Sequence, residues 1–295
     1  MSGFAQPSRL RRSFHFRAGE GALADILIFG NINADRVIRV DGPVGPGLDI
    51  TGEDLGIRLG GAGANTGSAL LAAGHHVRLV GFVGTDPDAA RLRRILARHS
   101  WDVSHVGTVD GGTPTCIILI ESNGDRTIVG FRRKAAPPQW PAVSFDGAAC
   151  IYVGSRWPLP GGLLDRIRAA GIPVVCQLSK TTVVPSARIV VASEEELSQA
   201  EAADPWGAVR GRGLEPEWVV VTRGKRGAMA TNGETCLAVP AVPAQVVDTT
   251  GAGDAFAAGL VHGAALGVPM GDALSLAARW AARAVSHFGS TFPVD

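Results

Sequence analysis

Six short apolar runs limit the folds open to this chain more than any other feature. Residues 25–30, 77–83, 149–153, 173–178, 188–192 and 218–222 are each five to seven residues long and rich in Val, Ile and Leu. The runs are continuous rather than alternating, which is how strands read when both faces of a parallel sheet are covered. Between several of them lie stretches with helical spacing, up to Ala73, over 88–99 and over 163–170. Parallel strands joined through helices wind into a doubly wound sheet with a helix layer on each side. The expectation is one α/β fold spanning residues 25–295.

Composition narrows the partners. With 46 % apolar and 19 % charged residues the chain can bury a sizeable core, and its formal charge of +1 argues against a dedicated nucleic-acid binder. Cys116, Cys150, Cys176 and Cys236 are widely spaced with no C-x-x-C pair, so they read as thiols of a reducing compartment and point to the cytoplasm. No apolar run approaches the roughly 18 residues of a membrane helix. Residues 1–24 carry Arg9, Arg11, Arg12 and Arg17 with no acid before Glu20. Arg11-Arg12-Ser13-Phe14 resembles a twin-arginine signal, but Ala18-Gly19-Glu20-Gly21 stands where the apolar region belongs, so a flexible basic tail is expected.

Residues 248–256 read Asp-Thr-Thr-Gly-Ala-Gly-Asp-Ala-Phe. They lie between an apolar, strand-like run at 242–247 and a segment in which Ala257, Leu260, Val261 and Ala264 recur at helical spacing. Strand, glycine turn and helix start are the expected local structure. Gly251 and Gly253 leave the backbone approachable, and the first helical turn has unpaired N–H groups at the positive end of its dipole, which together make an anion site. Asp254 would repel that anion unless it has a task. Either it caps the helix, or it takes the proton of a hydroxyl that attacks a phosphate held by the N–H groups. A P-loop would need Gly-Lys-Ser/Thr here, and a dinucleotide fingerprint would need Gly or Ala where Phe256 stands.

With these residues the chain resembles the ribokinase-like sugar kinases, the phosphofructokinase B family, whose signature is Asp-Thr-x-Gly-Ala-Gly-Asp followed by a small residue and Phe. The resemblance implies a three-layer α/β/α core with a mostly parallel sheet and a small β-sheet lid. It also implies ATP-dependent phosphorylation of a sugar or polyol hydroxyl, with Asp254 as general base and Gly251, Ala252 and Gly253 as anion hole. Further stretches match the family's landmarks in order. Asn33 and Asp35 map onto an Asn and an Asp that bind sugar hydroxyls, although an Asx-rich turn explains the same residues. Gly60, Gly61 and Asn65 map onto Gly-Gly-x-x-x-Asn, a second set of sugar contacts or a plain helix start. Gly81, Gly84 and Asp86 match a Gly-x-x-Gly-x-Asp turn. Lid segments fall near 36–59 and 113–131, where closure would keep water from the reaction.

Two stretches depart from the pattern. Arg132-Arg133-Lys134 stand where small residues are common, and either grip a substrate phosphate or are solvated. Ser193-Glu194-Glu195-Glu196 resembles the family's Asn-x-x-Glu, with Ser replacing Asn; Glu196 would organise Mg2+ through water, or Ser193 would open a helix with a capping box. Thr222, Gly224 and Gly227 match the Thr-x-Gly-x-x-Gly turn of the nucleotide pocket. Gly289 and Ser290 fall where the family closes its adenine pocket and a monovalent-cation loop, with Asp248 and Thr250 beside a K+-like ion. The implied cofactors are ATP and Mg2+, with K+ in that loop. The implied partner is a small sugar or polyol, with neither nucleic acid nor membrane, and a homodimer paired through a lid edge strand. Two other readings remain: a catalytically silent sugar or nucleotide sensor of the same fold, suggested by Ser193, and an NAD-dependent oxidoreductase, against which the absent fingerprint weighs. The identity of the sugar is not written in the spacing.

Overall fold

The computed structural model of the chain describes residues 24–122, 126–131, 138–178, 184–287 and 289. Residues 1–23 of the expected tail 1–24, the cluster Arg132-Arg133-Lys134 and Ser290 lie outside the described residues, while Ala24 is buried. β1 (Asp25–Gly30) leads into β2 (Asn33–Val40) and β3 (Gly52–Gly60), then α1 (Ala62–Ala72), β4 (His76–Val83) and α2 (Pro87–Ala97). Two short strands follow, β5 (Trp101–Asp102) and β6 (Val106–Thr108), then the pair β7 (Thr115–Ile120) and β8 (Arg126–Gly130). The second half runs β9 (Ala148–Gly154), α3 (Gly161–Ala170), β10 (Val174–Gln177), β11 (Ile189–Ser193), α4 (Gln199–Ala203), α5 (Pro205–Arg210) and β12 (Trp218–Thr222). It closes with β13 (Ala228–Thr231), β14 (Cys236–Val239), α6 (Ala252–Ala265) and α7 (Met270–Val285).

The large sheet has the order β14-β13-β12-β11-β10-β9-β1-β4-β5, with β6 also on β4. It is parallel from β12 through β5, and β13 and β14 add an antiparallel edge. Period-2 alternation in β1 explains the continuous apolar run. Ile26 and Ile28 enter a core with Leu70 of α1, Leu92 of α2, Leu260 of α6 and Trp280 of α7, whereas Leu27 and Phe29 face the other way, toward Leu163 and Ile167 of α3 and Val209 of α5. Each such side chain contributes about 1.5–3 kcal/mol by leaving water. The buried charge in these strands, Arg78 of β4, is paired with Asp25 and the Ser144 carbonyl.

A second sheet, order β3-β2-β7-β8, stands apart. β2 pairs antiparallel with β3 and parallel with β7, and β8 closes the β7 hairpin. Val37, Ile118 and Ile120 form a small buried cluster on it, with Leu55 packed alongside. This is the small second sheet that the fold class called for; β2 and β3 span the expected 36–59 and extend to Asn33 and Gly60, and β7 and β8 fall within 113–131.

Two local expectations are overturned. Residues 242–247 form no strand; Val242, Val246 and Val247 are exposed, and the Val247 N–H donates to the Val285 carbonyl at 2.7 Å. The edge place in the sheet is taken by β14, and Pro240 and Pro243 lack the N–H a ladder requires. Nor does Ser193 open a capping box. It ends β11, and a single 3-10 turn, Glu194–Glu196, follows with no side-chain cap. The capping box belongs to Ser198 and Glu201, which start α4. Among the described residues no helix is long and apolar enough to cross a membrane.

Candidate active site

The site is assembled where β1 hands the chain to the lid and α1 receives it back. Gly30 and Gly63 touch so closely that a Cβ on Gly63 would lie 2.7 Å from Gly30 Cα, and the N–H groups of Gly63 and Ala64 bond the Asn31 carbonyl at 3.1 and 3.3 Å. The N-terminus of α1 is thereby pinned to the carboxyl end of a central strand, the edge where open α/β sheets carry their ligands. Gly61, the N-cap of α1, has φ 91°, and a Cβ there would meet the Asn31 carbonyl oxygen at 2.6 Å. Only glycine serves at that position.

Asn33 and Asp35 do not sit in the turn after β1. They are the first residues of lid strand β2, on the face shared with Val37. Asn33 Nδ2 donates to Cys116 Sγ at 3.7 Å. Asp35 is 6 % exposed, its Oδ1 is buried without a partner among the described residues, and a Cβ on Gly60 would overlap its Oδ2. Burial, with the charge of Asp254 second, pushes the Asp35 carboxyl up to about 7. A carboxylate held in that way is short of hydrogen-bond donors, and a polyol would bring them.

Asp254 lies in the first turn of α6. Gly251 caps that helix in the left-handed region at φ 77°, and no side chain caps it. The Asp254 carboxylate is therefore not the helix cap. Instead Asn65 Nδ2 donates to Asp254 Oδ2 at 2.7 Å across 189 residues of sequence, and Thr66 Oγ1 donates to the Asp254 carbonyl at 3.3 Å. Burial raises the Asp254 carboxyl to about 6, against the lowering effect of Asn65 and with a further push from the charge of Glu196. The other amide atom, Asn65 Oδ1, is buried and unpartnered. Among the described residues, nothing outside the helix's own turn lies within 4 Å of a Cβ built on Gly253.

Asp248 ties the turn together. Its Oδ1 accepts from the Thr250 N–H at 2.8 Å and its Oδ2 from the Gly289 N–H at 3.0 Å. Between this loop and the lid lies a small pocket, partly open to solvent. Asp35, Val37, Ile118 and Ile120 line its lid side, and Asp248, Thr250 and Gly289 its core side, with Arg58 of β3 reaching in. The structure thus joins Gly289 to the Asp248 loop rather than to the Thr222 turn.

Thr222 and Gly224 form their own turn. Thr222 Oγ1 bonds the Ala192 carbonyl at 3.3 Å, Gly224 has φ 53° with open space where a Cβ would go, and Gly227, φ 86°, packs against Val239 and Pro240. Arg226 pairs with Glu194, and Thr222 lies opposite Ser193 in the sheet. This links the turn to the segment whose Glu196 charge is felt by Asp254. No cluster of three or more His, Cys, Asp or Glu suited to a metal exists among the described residues. That fits Mg2+, which is commonly held by one or two carboxylates, water and substrate phosphates; Glu196 and Asp254 are the carboxylates present. A separate monovalent cation fits less well, because both Asp248 oxygens already accept N–H groups and a guanidinium shares the cavity.

Sequence reading missed Arg58, Asn31, Thr66 and Cys116. Arg58 had a signal, since it lies directly opposite Asp35 in the β2–β3 register and two residues before Gly60.

A doubly wound sheet, a separate small β-sheet and a half-buried carboxylate in the first turn of α6 frame the candidate site. The family model described as pfkB family carbohydrate kinase matches residues 23–295, and the chain belongs to that family. A fructokinase of Salmonella typhimurium is 30 % identical over 241 residues, covering 71 % of this chain and 78 % of its own length. A ribokinase of Haemophilus influenzae is 25 % identical over 258 residues, covering 80 % and 84 %. The structure of Arabidopsis thaliana ribokinase with ribose and ATP superposes with a TM-score of 0.71 at 21 % identity, over 91 % of this chain and 94 % of that one. The chain is an ATP-dependent carbohydrate kinase.

Proposed function

We propose that the enzyme transfers the γ-phosphoryl group of ATP to a hydroxyl of a monosaccharide or related polyol, with Asp254 as general base. The observation that carries this reading is the Asn65–Asp254 hydrogen bond of 2.7 Å, which aims a half-buried carboxylate beside a helix N-terminus with no side-chain cap. With its carboxyl raised to about 6, Asp254 is ionised at neutral pH and more basic than an ordinary aspartate. It accepts the proton of the attacking hydroxyl, the sugar oxygen bonds to the γ-phosphorus, and the bond to the ADP oxygen breaks. The N–H groups of Gly251, Ala252 and Gly253 meet the charge on the moving phosphoryl oxygens.

Asp35, Asn33 and Asn65 take the sugar hydroxyls, and Gly60 and Gly61 let the sugar lie against the backbone. Val37, Ile118 and Ile120 cover its C–H surface. Thr222, Gly224 and Gly227 line the nucleotide site, with Gly289 at its margin. Mg2+, held by phosphate oxygens and through water by Glu196, would neutralise the phosphate charge when bound. Ile128, Val129 and Phe131 at the exposed β8 edge are the surface for pairing two lids in a homodimer.

ADP release from ATP and Mg2+ across a panel of monosaccharides, polyols, nucleosides and phosphosugars tests the reading. Turnover on a monosaccharide or polyol, reduced by roughly a hundredfold or more in Asp254→Asn, is the expected result. Sugar-dependent stabilisation without turnover would replace it with the sensor reading that Ser193 suggests.

A further inference from the structure

We infer that Arg58, carried on lid strand β3, supplies the positive charge at the Asp248–Thr250 turn that a bound monovalent cation would otherwise supply, so that this kinase works without K+. The inference rests on the reading of Gly251–Gly253 as the anion hole.

Register places the charge. Arg58 stands directly opposite Asp35 across the β2–β3 ladder, so both side chains leave the same face of the lid, toward the cavity. Asp35 is the nearer carboxylate along the sheet, yet its Oδ1 stays buried and unpartnered. The guanidinium instead shares the cavity wall with Asp248, Thr250 and Gly289, and its Nη1 lies 3.2 Å from where a Cβ on Gly289 would stand. A side chain on Gly289 would crowd that guanidinium. Burial works against the Arg58 charge, and the Asp248 carboxylate works for it.

Ligand chemistry agrees. Asp248 is buried and held by the Thr250 and Gly289 N–H groups. Thr250 Oγ1, buried and unpartnered, is the oxygen a cation would use. Among the described residues the side-chain oxygens on this loop are that hydroxyl and a carboxylate already accepting two N–H bonds, few for an ion that prefers several oxygens. A second cation there would also be repelled by a guanidinium that stays charged at any working pH. Because Arg58 belongs to the strand ending in Gly60, the charge next to the anion hole arrives with the lid, whereas a bound ion would sit there whatever the lid did.

The test uses the full chain at constant ionic strength in KCl, NaCl, RbCl or choline chloride. Melting temperature is read without ATP or sugar, and initial rate with both. Wild type is expected to melt alike in all four salts and to turn over within twofold across them. Arg58→Met is expected to melt lower in choline and to recover with a saturable dependence on K+ or Rb+, while Arg58→Lys stays indifferent to the ion. Wild-type melting that rises saturably with K+, or an Arg58→Met protein as indifferent to K+ as wild type, would overturn the inference. If Arg58→Met does not fold, the wild-type titration still decides. The melting arm needs no turnover, so failure of the kinase reading and failure of the Arg58 assignment give different results.

Discussion

Asp35→Asn should make the unliganded protein more stable while removing most of its activity. Asp35 is 6 % exposed, its Oδ1 has no partner among the described residues, and its carboxyl is pushed from the ordinary 3.8 to about 7. A carboxylate with a raised folded value is a liability that grows with pH: nothing is lost below 3.8, the cost rises through the window between 3.8 and 7, and it is complete above 7. Three pH units at about 1.4 kcal/mol each set a ceiling of about 4 kcal/mol at pH 8. The amide is isosteric and uncharged but brings N–H groups that need partners, costing about 1–2 kcal/mol. A net gain of about 2 kcal/mol at pH 8 remains, shrinking toward zero or reversing as pH nears 4. In a chain of this size that is roughly 4–8 °C in melting temperature. Urea unfolding of both proteins at pH 8, 6.5 and 5 reads the gap, and coupled ADP release reads the activity, which should drop by roughly a hundredfold in kcat/KM. A variant less stable than wild type at pH 8, or a gap that does not change with pH, would refute the reasoning.

Three further outcomes are expected. The pH–rate profile should have an acid limb centred near 6, because Asp254 must be ionised to accept a proton and is lost as a base below its raised value; single-turnover rates from pH 5 to 8 measure it. Gly259→Ala should cost about 2–3 kcal/mol, since its Cβ would lie 2.5 Å from Ala277 Cα and force α6 from α7, and thermal melting checks it. His75 accepts the Ala24 N–H at Nδ1 and faces His262 at 2.8 Å, and burial lowers it from 6.5 to about 4. Being neutral in the fold, it contributes stability above 6.5 that is lost as pH falls toward 4. Relative to His75→Gln, wild type should lose about 2 kcal/mol between pH 7.5 and 5, measured by urea titration at each pH.

Much of this could be read along the chain, because it follows from local rules. Covered parallel strands are mostly apolar, so β1, β4, β9, β10, β11 and β12 were visible as runs even with Arg78 in β4. The alternation of Val37-Ile38-Arg39-Val40 marked a sheet with one wet face, and the glycines at 60, 61, 251 and 253 marked backbone that something must approach. Apolarity alone misled at 242–247, where the sheet had no edge left to offer. The short, mixed strands β13 and β14 carried too little pattern to be seen.

The sequence by itself determined the covered parallel strands and the position of the glycine turn that starts α6, since each depends on residues within a few positions of one another. Only the tertiary structure decided that Asn65 holds Asp254, that Asp35 is buried and feels the charge of Asp254, and that Arg58 lines one pocket with Asp35 and Asp248. Desolvation and Coulomb interactions depend on distance through the folded protein. A chain position carries no record of which distant carboxylate will share its cavity until the sheet, lid and helices have packed.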